Sequence, residues 1–254
     1  MSTEALGGQA IQVDGLRVAF GDFVAIPALT FIARYGEIHG VIGPNGAGKT
    51  TLLDVITGKT RPSQGKVVLD GVSDLLRLTE PQIALAGVGR KFQKPSVFEA
   101  LSVTENLELA LRLNPRSVFF ELRNWADRRR DARVQEVLEE IGLTDRSNAL
   151  AGTLAHGQKQ WLEIGMLLMQ RPKLLMLDEP VAGMTDAETE RTADLVRRLR
   201  SPDRAILVIE HDMAFVEEIA DRVTVLHEGT PIFEGQMSAA RADERVREVY
   251  LGRH

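Results

Sequence analysis

The sequence predicts an α/β fold, and three observations support this prediction. Short apolar runs typical of buried strands recur at Ile38–Ile42, Leu174–Leu177 and Ala205–Ile209. A block from about Leu101 to Met169 instead has apolar residues at helical spacing. A glycine-rich stretch follows the first run directly, and strand–loop–helix transitions of this kind are typical of parallel α/β sheets.

Length and composition narrow the class of protein. With 254 residues the chain can form one domain with two lobes or two domains. Its 44% hydrophobic and 26% charged residues are ordinary for a soluble protein, and the net charge of −5 gives no reason to expect a nucleic-acid partner. Without cysteine, neither a disulfide framework nor a thiolate metal site can form.

Targeting and membrane segments are not expected. Met1–Ala10 has neither the basic nor the apolar region of a secretory signal. No run approaches the roughly 18 apolar residues that a membrane-spanning helix needs. If the protein works at a membrane, we expect another subunit to span it.

The N-terminal part predicts an antiparallel sheet. Ile11–Phe20 and Leu29–Ala33 have strand-like patterns around the turn at Gly21-Asp22, and Gly65–Gly71 is a further strand bounded by glycines. Phe20 lies beside the turn. Its side chain could stack on a nucleotide base or belong to the core at a strand end, and the sequence leaves both interpretations open.

The glycine-rich stretch Gly43–Thr50 fits the phosphate-binding pattern G-x-x-x-x-G-K-[ST]. Its glycines allow backbone N–H groups to surround an anion, and the following helix adds the positive end of its dipole. We expect Lys49 to reach the outer phosphates and Thr50 to bind Mg²⁺. The alternative, an ordinary glycine-rich turn, is disfavoured by the flanking strand and helix. The predicted nucleotide-binding positions are Gly43, Pro44, Asn45, Gly46, Ala47, Gly48, Lys49, Thr50 and Thr51.

The middle of the chain predicts three helices. Thr104 is a candidate N-cap for a helix from Glu105, and Asp127–Ile141 is a second helix that Gly142 ends. The third helix, Lys159–Gln170, follows Leu154–Gln158. The glycine just before this third helix leaves free N–H groups at its tip, which makes a second possible anion site.

Two adjacent carboxylates, Asp178 and Glu179, end the apolar strand at Leu174–Leu177. Ligands of parallel α/β sheets bind at this end of the strands. Beside a phosphate-binding loop, Asp178 is expected to hold Mg²⁺ through water and Glu179 to polarise the attacking water. The alternative is a strand that ends in a solvated acidic turn. His211 ends a last buried strand at the same edge, which favours a contact with the γ-phosphate over a surface role.

The C-terminal third predicts further local structure. Thr185–Glu188 fits a capping box for a helix that ends near Arg200. Glu228-Gly229 is a hairpin turn, and the spacing of Val246, Val249 and Tyr250 predicts a short amphipathic helix.

Taken in order, these segments resemble the ATP-binding subunits of ABC transporters over nearly the whole chain. In that resemblance Gly43–Thr50 is the P-loop, Gln93 is the Q-loop glutamine, Leu154–Gln158 is signature-like, Leu174–Asp178 is Walker B, His211 is the switch histidine and Phe20 is the aromatic that stacks on adenine. It implies a P-loop NTPase fold with a mixed central sheet, an N-terminal antiparallel β-subdomain and a helical subdomain. The implied single domain has a nucleotide-binding core at 1–89 and 170–254, and a Q-loop, helical subdomain and signature helix at 90–169.

The resemblance also implies a mechanism with ATP and Mg²⁺ as cofactors. Gln93 takes part in catalysis and metal binding. Two ATPase subunits, identical or different, close head to tail, so that each ATP lies between one P-loop and the partner's signature. The implied signature contacts are Ala155, His156, Gly157 and Gln158. The implied partners are two transmembrane permease subunits and a periplasmic or extracellular solute-binding protein, with the ATPase peripheral at the cytoplasmic face of the membrane.

The sequence departs from the family pattern in two places. Ala155 and His156 replace the serine and first glycine of Leu-Ser-Gly-Gly-Gln, which removes the hydroxyl that contacts the γ-phosphate across the dimer. Gly157 and the helix N-terminus remain as backbone donors. Thr185 stands at the position of the D-loop aspartate.

Four blocks narrow the resemblance to ATP-binding subunits of urea importers of the UrtD type, which are relatives of branched-chain amino-acid importer ATPases. These blocks are Gly89–Pro95, His156–Met166, Asp178–Thr185 and Val249–Gly252. Urea import is therefore expected, with import of branched-chain amino acids, or of another amide or amino acid, as the alternative. A soluble ABC ATPase acting on nucleic acid or ribosomes is less favoured, because the chain has one motif set and no sustained heptads. A GTPase is disfavoured because there is no Asn-Lys-x-Asp motif.

Overall fold

The computed structural model describes residues 8–91, 96–112 and 126–251. The chain divides into two compact units. Unit 1 comprises Met1–Arg90, Lys173–Glu179 and Arg200–His254, and unit 2 comprises Lys91–Pro172 and Pro180–Leu199. Residues 180–199 were predicted to belong to the nucleotide-binding core, whereas the structure groups them with Lys91–Pro172 in unit 2.

Unit 1 contains a four-stranded sheet formed by β1 (Gln9–Phe20), β2 (Phe23–Arg34), β4 (Gln64–Leu69) and β5 (Ser73–Asp74), in the order β2-β1-β4-β5. All its pairings are antiparallel. The turn at Gly21-Asp22 joins β1 to β2 and leaves Phe20 opposite Phe23. The predicted N-terminal antiparallel sheet is confirmed.

A six-stranded sheet has the order β10-β9-β3-β8-β7-β6. Its strands are β3 (Ile38–Ile42), β6 (Val88–Lys91), β7 (Leu174–Asp178), β8 (Ala205–Glu210), β9 (Arg222–His227) and β10 (Thr230–Gly235). β3 runs parallel to both β8 and β9, and β7 runs parallel to β8, whereas β9 and β10 form an antiparallel hairpin. The sheet is therefore mixed, as predicted. Every residue of β3, β7 and β8 is buried, and these strands are mainly apolar apart from the buried His39 in β3 and the acidic last residues of β7 and β8.

The helices of the described residues are α1 (Lys49–Ile56), α2 (Glu80–Ala86), α3 (Val103–Arg112), α4 (Ala126–Glu140), α5 (His156–Leu168), α6 (Asp186–Arg198), α7 (Met213–Ile219), α8 (Met237–Ala242) and α9 (Glu244–Leu251). α1 buries Leu52, Leu53, Val55 and Ile56 in a core shared with both sheets of unit 1. This packing fixes the helix that begins with Lys49. No helix in these ranges is long and apolar enough to cross a membrane.

Two predicted helix starts are wrong. α3 begins at Val103, so Thr104 lies inside the helix and is not its cap. Ser102 and Glu105 form the cap instead: Ser102 N–H donates to Glu105 Oε2 at 2.7 Å and Glu105 N–H donates to Ser102 Oγ at 3.2 Å.

α5 begins at His156 rather than Lys159. The amide of Ala155 donates to Gln158 Oε1 at 3.1 Å, which closes the first turn three residues early. His156, Gly157 and Gln158 therefore belong to the helix instead of preceding it.

Candidate functional site

Three adjacent parallel strands of unit 1 carry the predicted site. Gly43 follows β3, His211 follows β8, and Asp178 ends β7 with Glu179 next in the chain. Because β3 pairs with β8 and β8 pairs with β7, all three carboxyl ends meet at one edge of the sheet. The structure therefore brings together the phosphate-binding loop, the two acids and the histidine that the sequence analysis selected.

The loop between β3 and α1 packs closely on its surroundings. A Cβ atom at Gly43 would overlap the carbonyl oxygen of Leu226, and Gly48 has a φ of 92°, which other residues rarely adopt. Within the loop, Ala47 N–H donates to Pro44 O at 3.2 Å. From the β9–β10 turn, Gly229 N–H donates to Ala47 O at 3.1 Å. Local hydrogen bonds and the neighbouring hairpin thus hold the loop in its curved shape.

Lys49 is only 7% exposed and directs its ammonium back into the loop. Its Nζ donates to Gly43 O at 2.6 Å and to Pro44 O at 3.0 Å. Burial lowers the pKa of the ammonium, and three nearby carboxylates oppose that shift: Glu179, Asp178 and Glu210. The lysine is therefore a cation within reach of the acidic strand ends.

Glu179 has an unusual backbone conformation. Its φ is 46°, in the left-handed region, which costs a non-glycine residue about 1–3 kcal/mol. The amide of Glu179 donates to Ile209 O at 2.9 Å and so anchors the turn to β8. The chain turns sharply after Asp178 and presents two successive carboxylates at one edge of the sheet.

His211 lies between two carboxylates, while most of its side chain is exposed. Its Nδ1 is 3.9 Å from Glu179 Oε1 and 3.6 Å from Glu210 Oε2. The backbone N–H of His211 also donates to Glu210 Oε2 at 3.1 Å. Because Nδ1 faces the acids, Nε2 is the nitrogen left for a ligand.

Glu210, a carboxylate that is 1% exposed at the end of β8, was not among the predicted site residues. A signal was present, since Glu210 ends an apolar strand in the same way as Asp178. The preceding apolar run drew attention to His211 alone.

Arg90 and Asp54 were also missed. Arg90, on β6, donates from one terminal nitrogen to Asp54 Oδ1 at 2.5 Å and from the other to Asp178 Oδ2 at 2.8 Å. No sequence pattern links these three residues, because the contact depends on the order of the strands in the sheet.

Two further sequence predictions have different outcomes. Phe20 is 53% exposed and Phe23, opposite to it, is 66% exposed, so the core interpretation of Phe20 is wrong. Stacking of Phe20 on adenine stays a prediction. Gln93 lies outside the described residues, and its predicted role stays a prediction.

The donor set fits a magnesium ion bound together with phosphates. Thr50 offers an exposed hydroxyl at the start of α1, and Asp178 offers a carboxylate at the end of β7. Both are hard oxygen donors, which Mg²⁺ prefers. Within residues 8–91, 96–112 and 126–251, no three His, Asp or Glu side chains are grouped to hold a metal by themselves. An ion here would therefore need oxygens from a bound nucleotide and from water.

The signature-like residues lie in unit 2. His156, in the first turn of α5, places Nε2 3.3 Å from Ala182 O. The Glu188 carboxylate lies beside Gly157, where a Cβ would come within 2.8 Å of its Oε1. The signature-like residues therefore contact the segment that follows Glu179 in the chain.

Thr185 and Glu188 form the predicted capping box of α6. Thr185 N–H and Oγ1 both donate to Glu188 Oε2 at 3.0 Å, and Glu188 N–H donates to Thr185 Oγ1 at 3.3 Å. The hydrogen bond from the Thr185 backbone makes the largest contribution, followed by the one from its side chain. Together they hold the pKa of Glu188 below its usual value. Thr185 at the D-loop position thus serves as a helix cap.

A buried hydrogen bond joins α5 to α6. Trp161 Nε1–H donates to Thr192 Oγ1 at 2.9 Å, and Thr192 is fully buried. Thr192 Oγ1 donates in turn to Glu188 O at 2.8 Å. The helix that begins at the signature and the helix that begins at the D-loop position are therefore joined by specific polar contacts.

Comparison with known proteins gives a consistent result. The family model described as "ABC transporter" matches residues 27–182. The branched-chain amino acid transport ATP-binding protein BraF of Pseudomonas aeruginosa is 37% identical, over 95% of this chain and 97% of its own length. LivG of Salmonella typhimurium, described in the same terms, is 38% identical over 95% and 97%.

A solved structure gives the same picture at the level of the fold. MJ1267, an ATP-binding cassette of an ABC transporter, matches with a TM-score of 0.84 and 29% identity, covering 96% of this chain and 99% of that one. The ADP conformation of the same cassette matches with a TM-score of 0.82.

Proposed function

Because the chain belongs to the ABC transporter family of ATP-hydrolysing subunits, we propose that it powers an importer for branched-chain amino acids. The observation that carries this proposal is the identity of 37% and 38% to two branched-chain amino acid transport ATP-binding proteins, over 95% of the chain and 97% of each relative. Because the similarity extends over almost the full length of this chain and of each relative, it supports the same kind of ATP-binding subunit in all three proteins.

This solute class replaces the urea prediction as the favoured one. The urea expectation rests on four short sequence blocks. The two relatives described above are named for branched-chain amino acids. Urea is therefore kept as the competing outcome of the transport experiment.

In the proposed site, the loop amides and Lys49 bind the β- and γ-phosphates of ATP. Thr50 and Asp178 would hold Mg²⁺, with Gln93 as a further ligand. When bound, the ion neutralises charge on the outer phosphates. The ammonium of Lys49 already lies inside the loop, so it exchanges its carbonyl partners for phosphate oxygens over a short distance.

We assign the proton transfer to Glu179. Its carboxylate accepts a proton from the water that attacks the γ-phosphorus, and the bond to the leaving ADP oxygen breaks. His211 contacts the γ-phosphate through Nε2, because its Nδ1 faces Glu179 and Glu210. The sharp turn at Glu179 directs the base away from the buried strand.

The proposed assembly contains two ATPase subunits, two membrane-spanning permease subunits and a solute-binding protein. The ATPase subunits close head to tail, so that Ala155, His156, Gly157 and Gln158 of one subunit face the ATP of the other. We place the chain at the cytoplasmic face of the membrane, held there by the permease.

The proposal is tested by transport in liposomes that contain this chain, the permease subunits that co-purify with it and their binding protein. ATP-dependent uptake of labelled leucine, abolished by Glu179→Gln, is expected. ATP-dependent uptake of urea but not of leucine would overturn the solute class. Uptake that is independent of ATP would overturn the role of the chain as the energy source.

A further inference from the structure

Arg90 is a buried cation that the proposed mechanism does not use. Its side chain is 4% exposed, and its two ion pairs join Asp54 at 2.5 Å and Asp178 at 2.8 Å. The Asp178 side chain is 7% exposed and that of Asp54 is 21% exposed. Such burial separates this cluster from surface ion pairs, which solvent screens.

The three residues come from three different elements. Asp54 lies on α1, the helix that begins with Lys49, and Asp178 ends β7. Arg90 lies on β6, the strand next to β7. One guanidinium therefore ties the helix of the phosphate-binding loop to the strand that carries the predicted magnesium residue.

The bridge depends on the shape of arginine. The two terminal nitrogens bind two different carboxylates, and the bond to Asp178, at 2.8 Å, has the length of a charge-assisted hydrogen bond. A lysine ammonium carries the same charge but is a compact point, so it cannot reproduce a planar fork that reaches both acids.

The bridge also fixes the carboxylate of Asp178. Arg90 engages Oδ2, which removes the free rotation of the carboxyl group and leaves Oδ1 as the oxygen that can face a metal-bound water. It compensates a buried negative charge that would otherwise repel the carboxylates of Glu179 and Glu210. Residues that hydrogen-bond to the ligands of a metal ion, without binding the ion themselves, fix the orientation of those ligands.

Resting on the proposed function, we infer that Arg90 is a positioning residue that orients Asp178 for the magnesium–nucleotide complex and couples it to α1. Arg90 would affect only the binding of Mg²⁺ with nucleotide, so its effect is separable from phosphate binding by the loop itself.

The test measures binding of the non-hydrolysable analogue AMP-PNP by calorimetry at stepped Mg²⁺ concentrations and in EDTA. Arg90→Lys should raise the Mg²⁺ concentration for half-maximal binding by roughly tenfold or more, the effect typical of lost outer-shell partners. Affinity in EDTA should change less than about twofold, because the loop amides and Lys49 are untouched. A merely structural role would weaken binding equally in both conditions.

The matched control is Arg200→Lys. Arg200 pairs with both oxygens of Asp221, at 2.7 and 2.8 Å, elsewhere in unit 1. It should leave the Mg²⁺ requirement unchanged. A shift equal to that of Arg90→Lys would overturn the inference.

Asp54→Asn provides a second route, because it removes the charge of the anchor on α1, which weakens the bond from Arg90, and keeps the bond to Asp178. It should also raise the Mg²⁺ requirement, by less than Arg90→Lys. If Arg90→Lys does not fold, Asp54→Asn alone decides, and an unchanged requirement sinks the inference. A wild-type chain that binds AMP-PNP equally with and without Mg²⁺ would count against the proposed function instead.

Discussion

Lys49 donates a hydrogen bond of 2.6 Å from its Nζ to the carbonyl oxygen of Gly43, at the opposite end of the same loop. The ammonium also donates to the carbonyl oxygen of the next residue, Pro44, at 3.0 Å, and so satisfies two successive carbonyl groups of the loop. The same side chain that is proposed to bind ATP also holds the shape of the binding loop.

Lys49→Ala should therefore weaken nucleotide binding by roughly 10–100-fold, the value of one or two charge-assisted hydrogen bonds, and abolish measurable hydrolysis. Binding is measured by calorimetry with ATP and turnover by phosphate release. Lys66→Ala, at an exposed position on β4, is the matched control and should leave both unchanged. Hydrolysis at the wild-type rate in Lys49→Ala would rule out the assigned role.

Glu179→Gln keeps the size of the side chain and removes its ability to accept a proton. Loss of a general base typically lowers the rate by about 10²–10⁴-fold, and binding of ATP should persist. The variant should accumulate a closed dimer in ATP, detected by sedimentation. A monomer at saturating ATP contradicts this expectation, and Glu190→Gln serves as a control on the exposed part of α6.

Thr192→Val should destabilise unit 2. The substitution keeps the shape of Thr192 and leaves the buried indole N–H of Trp161 without its 2.9 Å partner. An unsatisfied buried donor costs about 1–3 kcal/mol. Urea denaturation gives the free energy of unfolding, and Thr192→Ser, which keeps the hydroxyl, is the matched control. Equal stability of the two variants would show that the hydrogen bond contributes nothing.

Glu188→Gln should give a pH-dependent loss of stability. Hydrogen bonds from Thr185 hold the pKa of Glu188 below its ordinary value of 4.5, so the charged form stabilises the folded state. That contribution is present above the unfolded-state pKa and is lost as the pH falls through the folded-state pKa.

The measurement for this variant is the free energy of unfolding between pH 7 and pH 3. Glu188→Gln should be less stable than the wild type at neutral pH, with a difference that shrinks below pH 4.5. A difference that stays constant across this range would show that charge plays no part.

The elements that local sequence encodes were predictable. Gly43–Thr50 and Asp178-Glu179 are recognisable because each directly follows or ends a buried strand in the sequence. The parallel sheet then brings the ends of these strands together. The turn at Glu228-Gly229 followed from its residues in the same way.

Contacts between distant segments were not predictable. Arg90 forms ion pairs with Asp54 and Asp178 because β6 lies next to β7. The order of strands in a sheet cannot be predicted from a short sequence pattern. The cap of α3 was misplaced because Ser102 and Thr104 are both good caps, and only the partner Glu105 distinguishes them.

The left-handed backbone conformation of Glu179 is unfavourable for a non-glycine residue, whereas the proposed general base needs a carboxylate at this position. A library randomised at this position and sorted only for thermal tolerance should enrich glycine and asparagine, which adopt a positive φ most readily. The same library grown on leucine, the proposed solute, as sole nitrogen source should return glutamate, the proposed general base. The difference in residue frequencies between the two enriched pools would measure how strongly activity, rather than stability of the fold, selects the residue at position 179.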